Sequence, residues 1–256
     1  MKVVITDKHK KDLFVALFQT LKNCSTLVRV NFLIDKLYIQ GMDKSHICLF
    51  DVSILKKWFD EYSVDEVNSV CFDTNIFHLI ISTKSEGLDI IIHSETDDSL
   101  NVNLVSLEHS KGDFNKYFKI PLADYEQEEM VIPTVDYDAE FSISAKKICE
   151  IVSQMMTFGT DINVKCSEEK IDLITNGIAG EMIVNIPIED LTEYSIIEGE
   201  EVNLSYSLNY INKMCLTNKL SNEIQFFISQ QYPMKITYDL GDDSFIVFYI
   251  APKIVD

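Results

Sequence analysis

Polar and apolar residues alternate over residues 2–6, a period of two that predicts a short strand. The period then changes. Over residues 7–22, Leu13, Phe14, Leu17, Phe18 and Leu21 recur at three- and four-residue spacing and share one helical face. Asp7 stands where an N-cap belongs, Asp12 lies near it, and Lys22 falls in the last turn. Alternation returns over residues 27–32, 36–40 and 46–52, with Asp35-Lys36 and Asp43-Lys44 marking turns. Residues 58–62 and 67–72 read as further strands and residues 75–82 as a short apolar helix. Residues 89–94 and 100–105 read as a hairpin about Thr96-Asp97-Asp98, and residues 116–120 as a last strand.

The pattern then repeats at an offset of 134 residues. Phe14, Leu17, Phe18 and Leu21 become Ile148, Ile151, Val152 and Met155, again a helical face. Leu37 and Ile39 become Ile171 and Leu173; Leu49 becomes Ile183; Ile76 and Phe77 become Tyr210 and Ile211. Ile90 and Ile92 become Ile224 and Phe226; Val102 and Leu104 become Ile236 and Tyr238. One ungapped offset keeps apolar class through several elements, which two unrelated halves would not do. Each half predicts an α+β domain, a mostly antiparallel sheet with its helices on one side. The expected division is residues 1–119, a connecting linker at 120–133, and residues 134–256. Two sheet edges, at residues 111–118 and 179–187, are left for pairing between chains, head to tail, in a contact that a suitable rotation closes into a ring.

The seam between the copies neither alternates like a strand nor shows a helical face. It carries Pro121 and Pro133 near its ends, carboxylates between them, and an apolar Met130, Val131 and Ile132 that a passive tether does not need.

Charge changes the picture next. The formal net charge is −19, which taken alone disfavours nucleic acid and favours basic partners. The acid is uneven: seven carboxylates and no base between residues 124 and 140, six and no base between 189 and 201. Lysines cluster elsewhere, at Lys8, Lys10 and Lys11, at Lys56 and Lys57, and at Lys146 and Lys147. Arg29 is the only arginine. A reader of base edges wants the arginine fork, whereas lysine suits unspecific phosphate contact. The six cysteines are scattered without a CxxC pair and read as reduced, packed thiols. The start of the chain lacks the long apolar run of a signal peptide, and no stretch is apolar for the ~18 residues of a membrane span. The expectation is an intracellular protein.

Two segments then carry a resemblance. Tyr38-Ile-Gln-Gly-Met-Asp-Lys-Ser-His-Ile-Cys-Leu49 resembles the Met-Asp-Ser-Ser-His segment of the proliferating cell nuclear antigen family of DNA sliding clamps. Tyr249-Ile-Ala-Pro-Lys-Ile-Val-Asp256 resembles that family's Leu-Ala-Pro-Lys-Ile tail. Between them, residues 207–213, Tyr232-Pro233 and the glycines Gly159, Gly177 and Gly180 match in order. The resemblance implies the DNA-clamp fold, with sheets outside and helices on one inner face. It implies a homotrimeric ring around duplex DNA that tethers DNA polymerase, clamp loader and other proteins carrying a clamp-interacting motif. It implies a nuclear protein if the source is a eukaryotic cell, or one at a viral replication site. No cofactor or metal is expected.

Carried over from the resemblance, the partner pocket comprises Met42, Ile47, Leu49, Met130, Ile132, Pro133, Pro233, Tyr249, Ala251, Pro252 and Ile254. The DNA-facing set comprises Lys8, Lys11, Lys22, Lys84, Lys111, Lys146, Lys147 and Lys213. Three basic positions of the family fall on Glu150, Ser153 and Thr157, and the family's modified lysine falls on Glu168. Other readings are a subunit of a heteromeric checkpoint or transcription-linked clamp, or an acidic metal-dependent enzyme. Against the last, the five histidines have no metal-ligand spacing, and neither a phosphate-binding GxxxxGK[ST] loop nor a GxSxG elbow is present.

Overall fold

The structure is a computed structural model that describes residues 1–83, 87–96, 98–106, 114–125, 129–215 and 219–253. The chain divides into two compact units. The first is Met1–Met42, Phe50–Glu129 and Leu240–Ile246; the second is Asp43–Leu49, Met130–Asp239 and Val247–Asp256.

In chain order the first half holds β1 (Lys2–Ile5), α1 (Lys8–Cys24), β2 (Leu27–Phe32), β3 (Lys36–Met42), β4 (Cys48–Leu55), β5 (Glu61–Ser63), β6 (Asn68–Asp73), α2 (Thr74–Ser82), β7 (Asp89–Thr96), β8 (Ser99–Val105) and β9 (Lys116–Pro121). Its strands form one sheet in the order β5-β1-β7-β8-β9, and β4-β3-β2-β6 lie side by side in another. Asp7 caps α1 as its position predicts, its side chain accepting from Lys10 N at 2.8 Å. Asp73 does the same for α2, accepting from the amides of Asn75 and Ile76. The apolar face of α1 meets α2 through rings, Phe18–Phe77 at 4.4 Å and Phe14–Phe77 at 6.2 Å between centroids, and Phe72 of β6 joins them 4.6 Å from Phe77. Such pairs add about 0.5–1.5 kcal/mol each beyond area burial.

The second half holds β10 (Ala139–Ser144), α3 (Ala145–Met155), β11 (Asp161–Cys166), β12 (Lys170–Gly177), β13 (Gly180–Pro187), β14 (Glu193–Ile196), β15 (Val202–Ser207), α4 (Leu208–Met214), β16 (Glu223–Ile228), β17 (Met234–Gly241) and β18 (Ser244–Ile250). The strand orders are β14-β10-β16-β17-β18 and β13-β12-β11-β15. Element for element, these are the two orders of the first half, so the offset of 134 marks a structural repeat. Phe18 and Val152, Leu37 and Ile171, Phe77 and Ile211, and Val102 and Ile236 are buried pairwise. Leu49 and Ile183 break the correspondence, with 8% and 51% exposure. Gly177 is required by a close approach: a Cβ there would lie 2.2 Å from the Phe158 carbonyl oxygen.

The strand expected at residues 58–62 is not formed as such. Lys56–Trp58 is a 3-10 turn and only Glu61–Ser63 is extended. The Trp58 indole N–H donates to Leu240 O at 2.9 Å, a contact 182 residues away that turns the backbone inward.

β9 and β13 each end their sheet order. Beside β9, Phe114 is 81% exposed, and Tyr117 within it is 68% exposed. On β13 Ile183 is exposed, as is Ile178 just before it. Residues 111–113 of the expected edge lie outside the described residues.

Candidate partner-binding and DNA-facing sites

Asp43 organises the loop between β3 and β4. Its carboxylate accepts from the amides of Ser45 at 2.9 Å, Ile47 at 2.8 Å and Cys48 at 2.7 Å, and from the Tyr210 hydroxyl at 2.7 Å. Its own N–H donates to Cys48 O. The closed loop places His46 at φ 57°, in the left-handed region. Burial pushes the Asp43 carboxyl up. The bonds from Cys48, Tyr210, Ser45 and Ile47 outweigh it and hold the pKa below the ordinary carboxylate value. The Met-Asp-x-Ser-His signature therefore has a local cause: an aspartate short enough to gather the amides two, four and five residues on.

The C-terminal tail runs against this loop. Ala251 N–H donates to Ile47 O at 3.0 Å, and Lys253 N–H to Ser205 O at 2.7 Å. Lys253 Nζ lies 2.6 Å from Asp161 Oδ2. The second unit thus brings together Ile47, Ala251 and Pro252 of the expected pocket. Ile47, Ala251, Pro252, Tyr249 and Ile132 are half-buried, Pro133 and Pro233 exposed, and Met130 is 38% exposed. Leu49 is buried, with 8% exposure. Met42 ends β3 in the first unit, half-buried. Ile254 lies outside the described residues.

Sequence reasoning missed an aromatic row in the second unit. The Tyr137 and Phe227 rings lie 5.5 Å apart, and Lys235 Nζ stands 4.4 Å from the Phe227 centroid. Tyr137 follows Pro133 by four residues, and its aromatic character was the available signal.

Residues 8–129 match the family model described as proliferating cell nuclear antigen, N-terminal domain, and residues 131–253 match that of its C-terminal domain. This chain belongs to the proliferating cell nuclear antigen family. Among curated relatives, proliferating cell nuclear antigen of Chaetomium thermophilum is 26% identical over 223 residues, 85% of each chain. Proliferating cell nuclear antigen 2 of Plasmodium falciparum is 25% identical over 254 residues, 95% of this chain and 96% of that one. Two solved structures superpose with a TM-score of 0.87: the PCNA2-PCNA3 complex from Sulfolobus tokodaii, at 22% identity over 99% of both chains, and PCNA from Thermococcus kodakaraensis, at 20% identity over 98% of this chain and 99% of that one. These two show the fold, the α+β clamp fold of two similar domains.

For a sliding clamp the lysines matter next. Lys8, Lys146 and Lys147 are exposed on α1 and α3. Lys22 is half-buried, its Nζ 3.2 Å from His78 Nδ1, and burial together with that cation holds the His78 pKa below its usual value. Lys213 stands over the Tyr210 ring, 5.1 Å from its centroid. Lys11 is a correction. It is only 3% exposed, and its ammonium donates to Leu88 O at 3.0 Å inside the first unit, so it does not face DNA. Lys84 and Lys111 lie outside the described residues. Glu150, Ser153 and Gln154 share the exposed face of α3 with Lys146 and Lys147.

Proposed function

We propose that this clamp closes into a ring of three copies around duplex DNA and tethers DNA polymerase and other replication and repair proteins, without catalysing a reaction itself. The observation that carries the reading is the doubled domain with an open strand at β9 and another at β13, each bearing exposed apolar side chains. Unpaired edges of that kind favour pairing with another chain. β9 of one copy against β13 of the next is a heterologous contact, and three such contacts close a ring of six domains. A ring threaded by DNA turns polymerase rebinding into an intramolecular event at high effective concentration. Partner segments dock on the second unit against the Asp43 loop, the tail and Ile132. Its place of action is where its DNA is copied, the nucleus of a eukaryotic cell or a viral replication site.

Mass in solution tests the assembly. Three chains per particle is the expected result; a strict monomer would sink it. A species that forms only with a second, different clamp subunit would favour the heteromeric reading, for which the two-subunit complex from Sulfolobus tokodaii is a structural precedent. Replacing Ile132 and Pro252 with alanine should abolish binding of a clamp-interacting peptide while the particle mass stays unchanged.

A further inference from the structure

The segment that leaves β9 is tied to the first unit at Leu122, Ala123, Tyr125 and Glu129. Leu122 N–H donates to Asp98 O at 3.1 Å, and Ala123 N–H pairs with the open edge of β6 through Cys71 O at 2.8 Å. Beyond that edge, two side chains of β2 take over. The Arg29 guanidinium donates through Nη2 to the Tyr125 carbonyl, and Asn31 Nδ2 donates to Glu129 Oε1 at 2.9 Å. Two residues apart on one strand, Arg29 and Asn31 face the same side. Asn31 is only 8% exposed and is held in turn by the Ser69 hydroxyl, which donates to its Oδ1 at 2.7 Å.

The choice of residues fits a strap. The segment from 124 to 140 holds seven carboxylates and no base, and the chain's only arginine donates to the Tyr125 carbonyl within it. A planar guanidinium keeps its charge and aims its donors in a fixed fork, which a lysine cannot do. Among the described residues, Arg29 Nε is buried and has no hydrogen-bond partner. Met130 follows Glu129 directly. Val131 is 94% exposed, so its own packing does little to hold it.

We propose that Arg29 and Asn31 are positioning residues for partner recognition: they fix where the connecting segment leaves the first unit, and so where Met130, Val131 and Ile132 are presented. They touch no partner. This rests on the docking function proposed above and extends it to residues on another element.

The test uses the full chain and a fluorescent synthetic peptide carrying a one-turn helical motif with aliphatic and aromatic anchors. Arg29→Ala with Asn31→Ala should bind the peptide at least tenfold more weakly, about 1.4 kcal/mol. Amide exchange over residues 122–125 and 129–132 should rise, and the particle mass should not change. Arg29→Lys should recover part of the affinity. Should the double variant fold poorly, Asn31→Asp sets a carboxylate against Glu129. Its loss of affinity should be partly restored by salt, as no folding defect would be. Equal affinity of wild type and variants would overturn the positioning role while leaving the docking function standing. A wild-type chain that ignores the peptide would overturn both.

Discussion

The two halves of this clamp share a strand order but not the material that fills it. In the first, α1 and α2 meet through a cluster of Phe14, Phe18, Phe72 and Phe77, with Trp58 at its side. In the second, the corresponding helices bury Ile148, Val152, Met155, Ile211 and Met214. The repeat keeps volume and polarity class, not identity, as close packing requires. The connections differ more. β12 and β13 are joined by a tight hairpin in which Gly177 pairs with Gly180. The equivalent join between β3 and β4 is the longer loop that Asp43 holds. A duplicated fold can let one copy of a turn stay minimal while the other lengthens and closes on a side chain of its own.

The largest expected effect separates the two cores. Phe77→Ala should cost about 3–5 kcal/mol, because it removes the ring that three others touch. Ile211→Ala, at the equivalent position, should cost less, toward the lower end of the ~2–5 kcal/mol range for such truncations. Denaturant titration read by Trp58, the only tryptophan, reports the first half, and far-UV dichroism reports both. An Ile211→Ala loss as large as that of Phe77→Ala would show that the aromatic cluster adds nothing special.

Asp43→Asn tests the docking loop. An amide has one accepting oxygen where the carboxylate has two, and its NH2 turns a donor toward amide donors. The loss should be about 2–3 kcal/mol at neutral pH, while an equivalent change has no counterpart in the tight β12–β13 hairpin. The folded-state pKa of Asp43 lies below the usual value, so its contribution is fully present above the unfolded value of about 3.9. It fades as pH falls through the folded pKa. The gap between wild type and variant in urea midpoints should therefore hold from neutral to mildly acid pH and narrow only below that. A gap already closing at pH 6 would contradict the assignment.

Much of this was legible in the chain, and the exceptions have a common cause. Residues 27–32 alternate and form β2 over the same span, with Val28, Val30 and Phe32 buried together on one face. Asp7 capped α1 because capping is local. Trp58 and Lys11 misled because their partners, Leu240 O and Leu88 O, are supplied by distant chain. The Tyr210–Asp43 bond spans 167 residues and had no local signal either. The proposed docking residues came only from the resemblance; the periodicity of the strands does not single out one turn.

Lys11 sharpens the comparison further. Its equivalent at the offset of 134 is Ala145, which is fully buried, so Lys11 occupies a core position and its Nζ donates to Leu88 O. Lys11→Ala should cost about 1–3 kcal/mol, since a buried carbonyl loses its donor. Lys147→Ala, on the exposed face of α3, should stay within ~0.5 kcal/mol of wild type. Equal costs would place Lys11 at the surface after all.

The smallest effect asks whether either helix face meets DNA. Each phosphate neutralised contributes about −0.9 to the slope of log K against log salt. If Lys146 and Lys147 contact phosphates, changing both to alanine should flatten the slope by up to about twice that amount on a duplex titrated from about 50 to 200 mM salt. Lys11→Ala should leave it alone, because a buried ammonium releases no counterion from DNA. The wild-type slope itself should be shallow, since Glu150 and Ser153 stand exposed among the lysines of α3. A slope as steep as that of a tight DNA binder, unmoved by the double change, would shift the contact to α1, where Lys8 is exposed and Lys22 lies beside His78. The first unit would then carry the DNA contact as well as the aromatic core, while the Asp43 loop belongs to the second unit.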